Sequence, residues 1–201
     1  MEINAEMVKK LREKSGVGMM DCKKALVECK GDFTKASEYL REKGLDKAAK
    51  KATRPTSEGV IDCYIHLGSK IGVMLEINCE TDFVARNEVF KSLSHNIALH
   101  IAASAPLYVS REEIPEAVIE KEKDIYAKQA LNEGKPANVV DKIADGRLNK
   151  FYAENCLMEQ LYVKNNDMTI TDLIKEHIAL IGENIVIKRF VRFVLGETEK
   201  E

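Results

Sequence analysis

Apolar positions recur at helical spacing through the first fifty residues. Val8, Leu11 and then Ser15, with Met7 beside them, form the stripe of a first helix that Asn4 is placed to cap. Gly16 and Gly18 interrupt it, and Cys22, Ala25, Leu26 and Cys29 then define one buried face of a second helix at i, i+3, i+4 and i+7. Gly31-Asp32 breaks that helix. Phe33, Ala36, Tyr39 and Leu40 predict a third, which Gly44 is expected to stop. A lysine-rich fourth segment, Leu45–Lys51, leads to Thr53-Arg54-Pro55-Thr56-Ser57, a linker by composition. Helices this short bury too little on their own, so they must pack on one another.

The period then changes to two. Ile61, Cys63, Ile65 and Leu67 alternate along one strand, and Ile71, Val73, Leu75 and Ile77 along the next. If both apolar sets share a face, Leu67 opposes Ile71 across a three-residue loop, Gly68-Ser69-Lys70. Helical spacing returns at 88–103 through Val89, Phe90, Leu93, Ile97, Ala98 and Ile101. Ser110 is placed to cap a helix through Glu112 and Glu113, with Pro115 in its first turns, running to about Asn132-Glu133-Gly134. Pro136 sits near the start of another helix that reaches Asn155. Thr171–Ile181 reads as a shorter helix. Ile185–Leu195 reads as a strand whose alternation slips at Lys188-Arg189, the mark of a bulge.

These elements predict an α+β fold. An amino-terminal three-helix module (1–52) is joined by a linker (53–58) to a core of antiparallel β-sheet packed with α-helices (59–196), followed by a frayed tail (197–201). The 201 residues and 45% hydrophobic content suit a folded chain with a real core. No run approaches the roughly 20 apolar residues of a membrane span. Met1-Glu2-Ile3-Asn4 leads into a charged helix and not into the apolar core of a secretion signal, so a cytoplasmic location is expected.

Charge is uneven. Residues 1–54 carry 14 Lys and Arg against 9 Asp and Glu, while the whole chain has a net charge of −2. The basic residues alternate with acids along helices, and the chain has no Trp, which argues against single-strand nucleic acid and for an acidic protein partner. Five cysteines, at 22, 29, 63, 79 and 156, form no C-x-x-C pair, and His95 and His100 are five apart, a poor spacing for one metal. Neither a metal nor a cofactor is expected. The common nucleotide, zinc-protease and nucleophile-elbow motifs are absent, which leaves binding as the surviving class.

Two segments break their local pattern. Met20, Lys24 and Val27 lie off the buried stripe of the second helix and make a small greasy patch with a basic rim, although methionine also serves as adaptable filler. Asn78-Cys79-Glu80-Thr81-Asp82-Phe83-Val84-Ala85-Arg86-Asn87 joins a hydrophobic strand to a helix. Thr81 or Asp82 is placed to cap that helix, and Phe83 reads equally well as an ordinary core residue.

Thr81-Asp82-Phe83-Val84-Ala85-Arg86-Asn87 nevertheless resembles the signature of the elongation factor Ts family, and Gly16–Leu26 resembles that family's amino-terminal signature. The hairpin Gly59–Glu76, His100–Ser104, Gly134-Lys135-Pro136, Lys175-Glu176-His177 and Ile181-Gly182-Glu183-Asn184-Ile185 follow in the family's order. The resemblance implies guanine-nucleotide exchange on EF-Tu, in its GDP-bound and nucleotide-free forms. It makes Asp82 and Phe83 a wedge near the magnesium site of the G domain, with Thr81, Val84, Arg86 and Asn87 around them. It assigns Met19, Met20 and Lys23 to the grip of the amino-terminal module, and His66, Ile181 and Gly182 to further contacts. It also implies a module similar to ubiquitin-associated domains. Longer members hold two core modules; this chain has one signature and one hairpin, which the resemblance associates with a homodimer whose two subunits offer EF-Tu the wedge and His66 respectively. An adaptor without exchange activity, and an enzyme using Cys63 or Cys79 as nucleophile, are the rival readings.

Overall fold

The computed structural model describes residues 3–197. Asn4 Oδ1 accepts the Met7 N–H at 2.9 Å, and α1 (Ala5–Ser15) begins at that cap. After α2 (Met19–Glu28), Asp32 Oδ1 accepts the Thr34 and Lys35 N–H groups, each at 3.1 Å, and starts α3 (Phe33–Lys51). Val8, Leu11, Cys22, Ala25, Leu26, Ala36 and Leu40 meet in one core, with Met7, Val17, Phe33 and Tyr39 packed against it. Each large side chain buried there contributes about 1.5–3 kcal/mol, which is what three marginal helices need to hold together.

Gly44 does not stop α3, and Leu45–Lys51 is no separate element but the last two turns of the same helix. A Cβ at Gly44 would lie 3.0 Å from the Ala179 Cβ, so this glycine marks a close approach to a neighbouring helix and not a break.

The sheet consists of β1 (Glu58–Ile65), β2 (Ile71–Cys79) and β5 (Ile185–Val194) in the order β1-β2-β5. Its hairpin differs from the expected one. The His66 N–H donates to the Ile71 carbonyl at 2.9 Å, so His66 opposes Ile71 and the loop is Leu67-Gly68-Ser69-Lys70. That one-residue shift puts the two apolar sets on opposite faces. Val73 and Leu75 turn inward, while Ile61, Cys63 and Ile65 turn outward beside Met74. The Leu195 N–H donates to the Lys70 carbonyl, and Arg189 Nε donates to Glu76 Oε2 at 2.7 Å, which sets Phe193 opposite Gly72 and Val191 opposite Met74 on the same outer face. In β5 the buried positions are odd through Ile187 and the half-buried ones even from Phe190, so the inward parity switches at Lys188-Arg189 as expected.

The remaining elements are α4 (Asp82–Ala85), α5 (Glu88–Ser104), α6 (Glu116–Asn132), α7 (Ala137–Asn155), the strands β3 (Leu161–Tyr162) and β4 (Asn165–Thr169), and α8 (Ile170–Ile181). The helix expected from Ser110 starts only after Pro115. Ser110 makes no cap bond and precedes a short 3-10 turn, Arg111–Glu113. The small antiparallel pair β3–β4, with Leu161 opposite Thr169, has no counterpart in the periodicity.

The chain divides into two compact units. One comprises the chain up to Val60 with Ile77–Leu93 and Asp172–Val186, and the other Ile61–Glu76, Ser94–Thr171 and the chain from Ile187. In the second, Ile114, Leu148, Tyr152 and Cys156 form a core between α6 and α7. His100, on α5 of the same unit, is fully buried; Gln160 Oε1 lies 3.0 Å from its Nε2, its Nδ1 accepts the Val163 N–H at 3.2 Å, and burial holds its pKa below the usual histidine value. The frayed tail expected at 197–201 lies, beyond Glu197, outside the described residues.

Candidate protein-interaction site

The Thr81–Asn87 segment is built by the strand before it and the helix after it. β2 ends on Cys79, fully buried, whose Sγ donates to the Thr81 carbonyl at 3.2 Å. Burial first, and then the nearby Glu183 charge, push that thiol up to about 11, so it is a protonated packing group and a poor nucleophile at neutral pH. Downstream, Asn87 Oδ1 accepts the Val89 N–H at 2.8 Å and starts α5. Between these anchors α4 is a single turn. Val84 and Ala85 are buried and hold it down, while Phe83 stands 83% exposed. Asp82, half-buried, pairs with Arg86 at 3.0 Å. Val84, grouped with the partner-facing residues on the strength of the resemblance, therefore has almost no surface to offer.

Thr81 occupies the N-cap position of α4 but makes no cap bond with its side chain. Its hydroxyl instead donates to Glu183 Oε1 at 2.7 Å, and Glu183 Oε2 accepts the Glu80 and Thr81 N–H groups at 3.1 and 3.0 Å. Glu80 reaches the other way: its Oε1 accepts the Asn184 N–H at 2.6 Å, and its Oε2 lies 3.5 Å from Arg54 Nη1. Asn184, buried, donates from Nδ2 to the Arg54 carbonyl at 2.9 Å and to that of Ala52 at 3.3 Å.

Ile181 and Gly182 lie directly before this clasp. Ile181, half-buried, ends α8, and the Gly182 N–H closes the helix on the Ile178 carbonyl at 3.0 Å. Gly182 has φ +92°, a left-handed conformation that few side chains tolerate, and its carbonyl accepts from Lys51 Nζ. Met19, Met20 and Lys23 are exposed on α2, Met20 at 76%, with Val27 also open to solvent. All of these belong to the first compact unit. His66 belongs to the second, where it is exposed at the hairpin turn, its Nδ1 3.0 Å from the Tyr64 hydroxyl, and the Tyr64 ring meets His95 edge-on at 5.6 Å.

Glu80, Glu183 and Asn184 were given no role by sequence reasoning. Their donors and acceptors lie more than 100 residues apart, and no local period encodes such a pairing. Among the described residues, no cluster of three His, Cys, Asp or Glu is arranged to hold a metal ion, and no helix is long and apolar enough to cross a membrane.

A family model described as Elongation factor TS matches residues 21–197. The chain belongs to the elongation factor Ts family. An elongation factor Ts from Carboxydothermus hydrogenoformans is 61% identical over 195 residues, covering 97% of this chain and 90% of the relative. One from a Thermoanaerobacter species (strain X514) is 59% identical, covering 97% and 96%. One from Fervidobacterium nodosum is 59% identical over 197 residues, covering 98% and 100%. The matched stretch includes the exposed turn around Phe83.

Proposed function

We propose that this chain is the guanine-nucleotide exchange factor for EF-Tu in translation elongation, acting in the cytoplasm by protein–protein contact alone, with no cofactor, nucleic acid or membrane involved. The observation that carries the reading is Phe83: a large aromatic side chain 83% exposed on a turn whose neighbours on both sides are anchored. Inserted into a partner, such a ring supplies about 1.5–3 kcal/mol of burial without unfolding its own protein. Asp82 beside it brings a carboxylate to the same point. Near a magnesium ion, which demands near-octahedral geometry, a small shift of ligands or waters weakens the hold on nucleotide phosphates. The coupling is reciprocal, so GDP must weaken this factor's binding as the factor weakens that of GDP.

The amino-terminal helices, in a module similar to ubiquitin-associated domains, grip the G domain through Met19, Met20 and Lys23. Thr81, Arg86 and Asn87 flank the wedge, and His66, Ile181 and Gly182 supply further contacts. The factor is a homodimer. The outward sheet face supports this, because Ile61, Ile65, Met74, Val191 and Phe193 are all exposed on it, an apolar face that a second copy would cover.

The deciding measurement is release of a fluorescent GDP analogue from EF-Tu. Accelerated release on adding the protein is expected; an unchanged rate would defeat the exchange reading in favour of the adaptor.

A further inference from the structure

Building on that exchange reading, we propose that Glu183 is a positioning residue for the wedge: its carboxylate fixes the chain immediately before Asp82-Phe83, and exchange depends on that hold. Four observations carry this. The wedge turn is short, and its side-chain cap is missing, because the Thr81 hydroxyl is turned away from α4. Two backbone N–H groups just before α4, those of Glu80 and Thr81, and the Thr81 hydroxyl all converge on one carboxylate at 2.7–3.1 Å. Glu80 answers from the opposite side by accepting the Asn184 N–H, so each segment's carboxylate satisfies the other segment's backbone. Both ends of the clasp are tied in turn, since Asn184 is buried and bonded to the Ala52 and Arg54 carbonyls and Arg54 faces Glu80.

The chemistry suits a carboxylate. Two oxygens with four lone-pair directions take three donors at once, and charge-assisted bonds are the stronger kind. Without them, the Glu80 and Thr81 amides would turn to water, and the ring would sample more directions before meeting a partner. The bonds of Glu183 go to Glu80 and Thr81, so its effect reaches Asp82 and Phe83 through the backbone of Thr81.

The test uses the full chain with Glu183→Ala, Glu183→Gln, Phe83→Ala and the double variant Glu183→Ala/Phe83→Ala. It records saturating and half-saturating exchange on EF-Tu with fluorescent GDP, and amide hydrogen exchange of the free protein. Glu183→Ala is expected to speed hydrogen exchange at the Glu80 and Thr81 amides and to slow saturating nucleotide release about 10-fold, the scale of one lost charge-assisted bond. Glu183→Gln keeps an acceptor for the amides and turns an N–H toward the Thr81 hydroxyl, so it retains most of the activity. The double variant should be no slower than Phe83→Ala alone, because a mispositioned ring and a missing ring remove the same contact. If Glu183→Ala unfolds the chain, Glu183→Asp, one methylene short, takes its place with the same expected losses. Unaltered protection at Glu80 and Thr81, full activity of Glu183→Ala beside a slow Phe83→Ala, or losses that multiply in the double variant would each overturn the role of Glu183 and spare the exchange reading. Wild-type protein that leaves release unchanged would defeat the exchange reading and the role of Glu183 with it.

Discussion

Phe83 and Val84 are neighbours in the chain and opposites in space: the ring is 83% exposed, while the valine is 9% exposed and fastens the turn beneath it. One residue is free to meet a partner because the next one is not.

That contrast predicts a separation of effects. Phe83→Ala should leave unfolding free energy within about 0.5 kcal/mol of the parent, as surface substitutions do, while slowing nucleotide release from EF-Tu. Val84→Ala should cost about 1–3 kcal/mol of stability through lost burial and the space left behind. Chemical denaturation of both variants, run beside the exchange assay, checks the pair. A destabilised Phe83→Ala would make the ring a packing residue.

The outer sheet face predicts a self-association phenotype. Phe193→Asp places a charge where a second copy is proposed to sit, and an unpaired charge in a closed interface costs about 3–5 kcal/mol. Sedimentation equilibrium should show self-association weakened by roughly 100-fold or more, since each 1.4 kcal/mol is tenfold. The far-ultraviolet circular dichroism of the isolated chain should not change, because that side chain is exposed.

His100 predicts a pH dependence. Burial lowers its pKa in the folded state, so the unfolded chain binds the proton more readily. Its contribution is therefore fully present above the ordinary histidine value of 6.5 and is lost as pH falls below it toward the lower folded-state value. The slope cannot exceed about 1.4 kcal/mol per pH unit for one proton. Thermal unfolding from pH 7.5 to 5 should show a steeper loss in the parent than in His100→Asn. Parallel curves would mean that the buried imidazole is not the titrating group.

Gly44 predicts a helix substitution that fails to help. Replacing a mid-helix glycine by alanine ordinarily stabilises by about 1 kcal/mol. Here the new methyl group would meet Ala179 at 3.0 Å. Gly44→Ala should give no gain or a loss, and the compensating pair Gly44→Ala/Ala179→Gly, in which one helix gains the alanine the other gives up, should return stability to about the parent's, as measured by denaturant titration. A full gain from Gly44→Ala alone would show that the two helices have room to separate.

Much of this was legible in the chain, because it depends on residues close together in sequence. Helical spacing determined α1, α2 and the start of α3, with Asn4 as the first cap, alternation determined the three sheet strands, and the parity slip at Lys188-Arg189 was visible in order. The resemblance at 81–87 drew attention to the turn that carries Phe83. Three things were decided only by the tertiary structure. Gly44 reads locally as a stop, and only Ala179, far along the chain, shows it to be a contact. The hairpin register assumed that all apolar residues seek the same side, yet both faces of this sheet are apolar, so alternation alone did not choose between a three-residue and a four-residue loop. The hold of Glu183 on Glu80 and Thr81 links positions about a hundred residues apart. Hydrogen bonds over that separation have no period to betray them; folding alone brings the two carboxylates past each other.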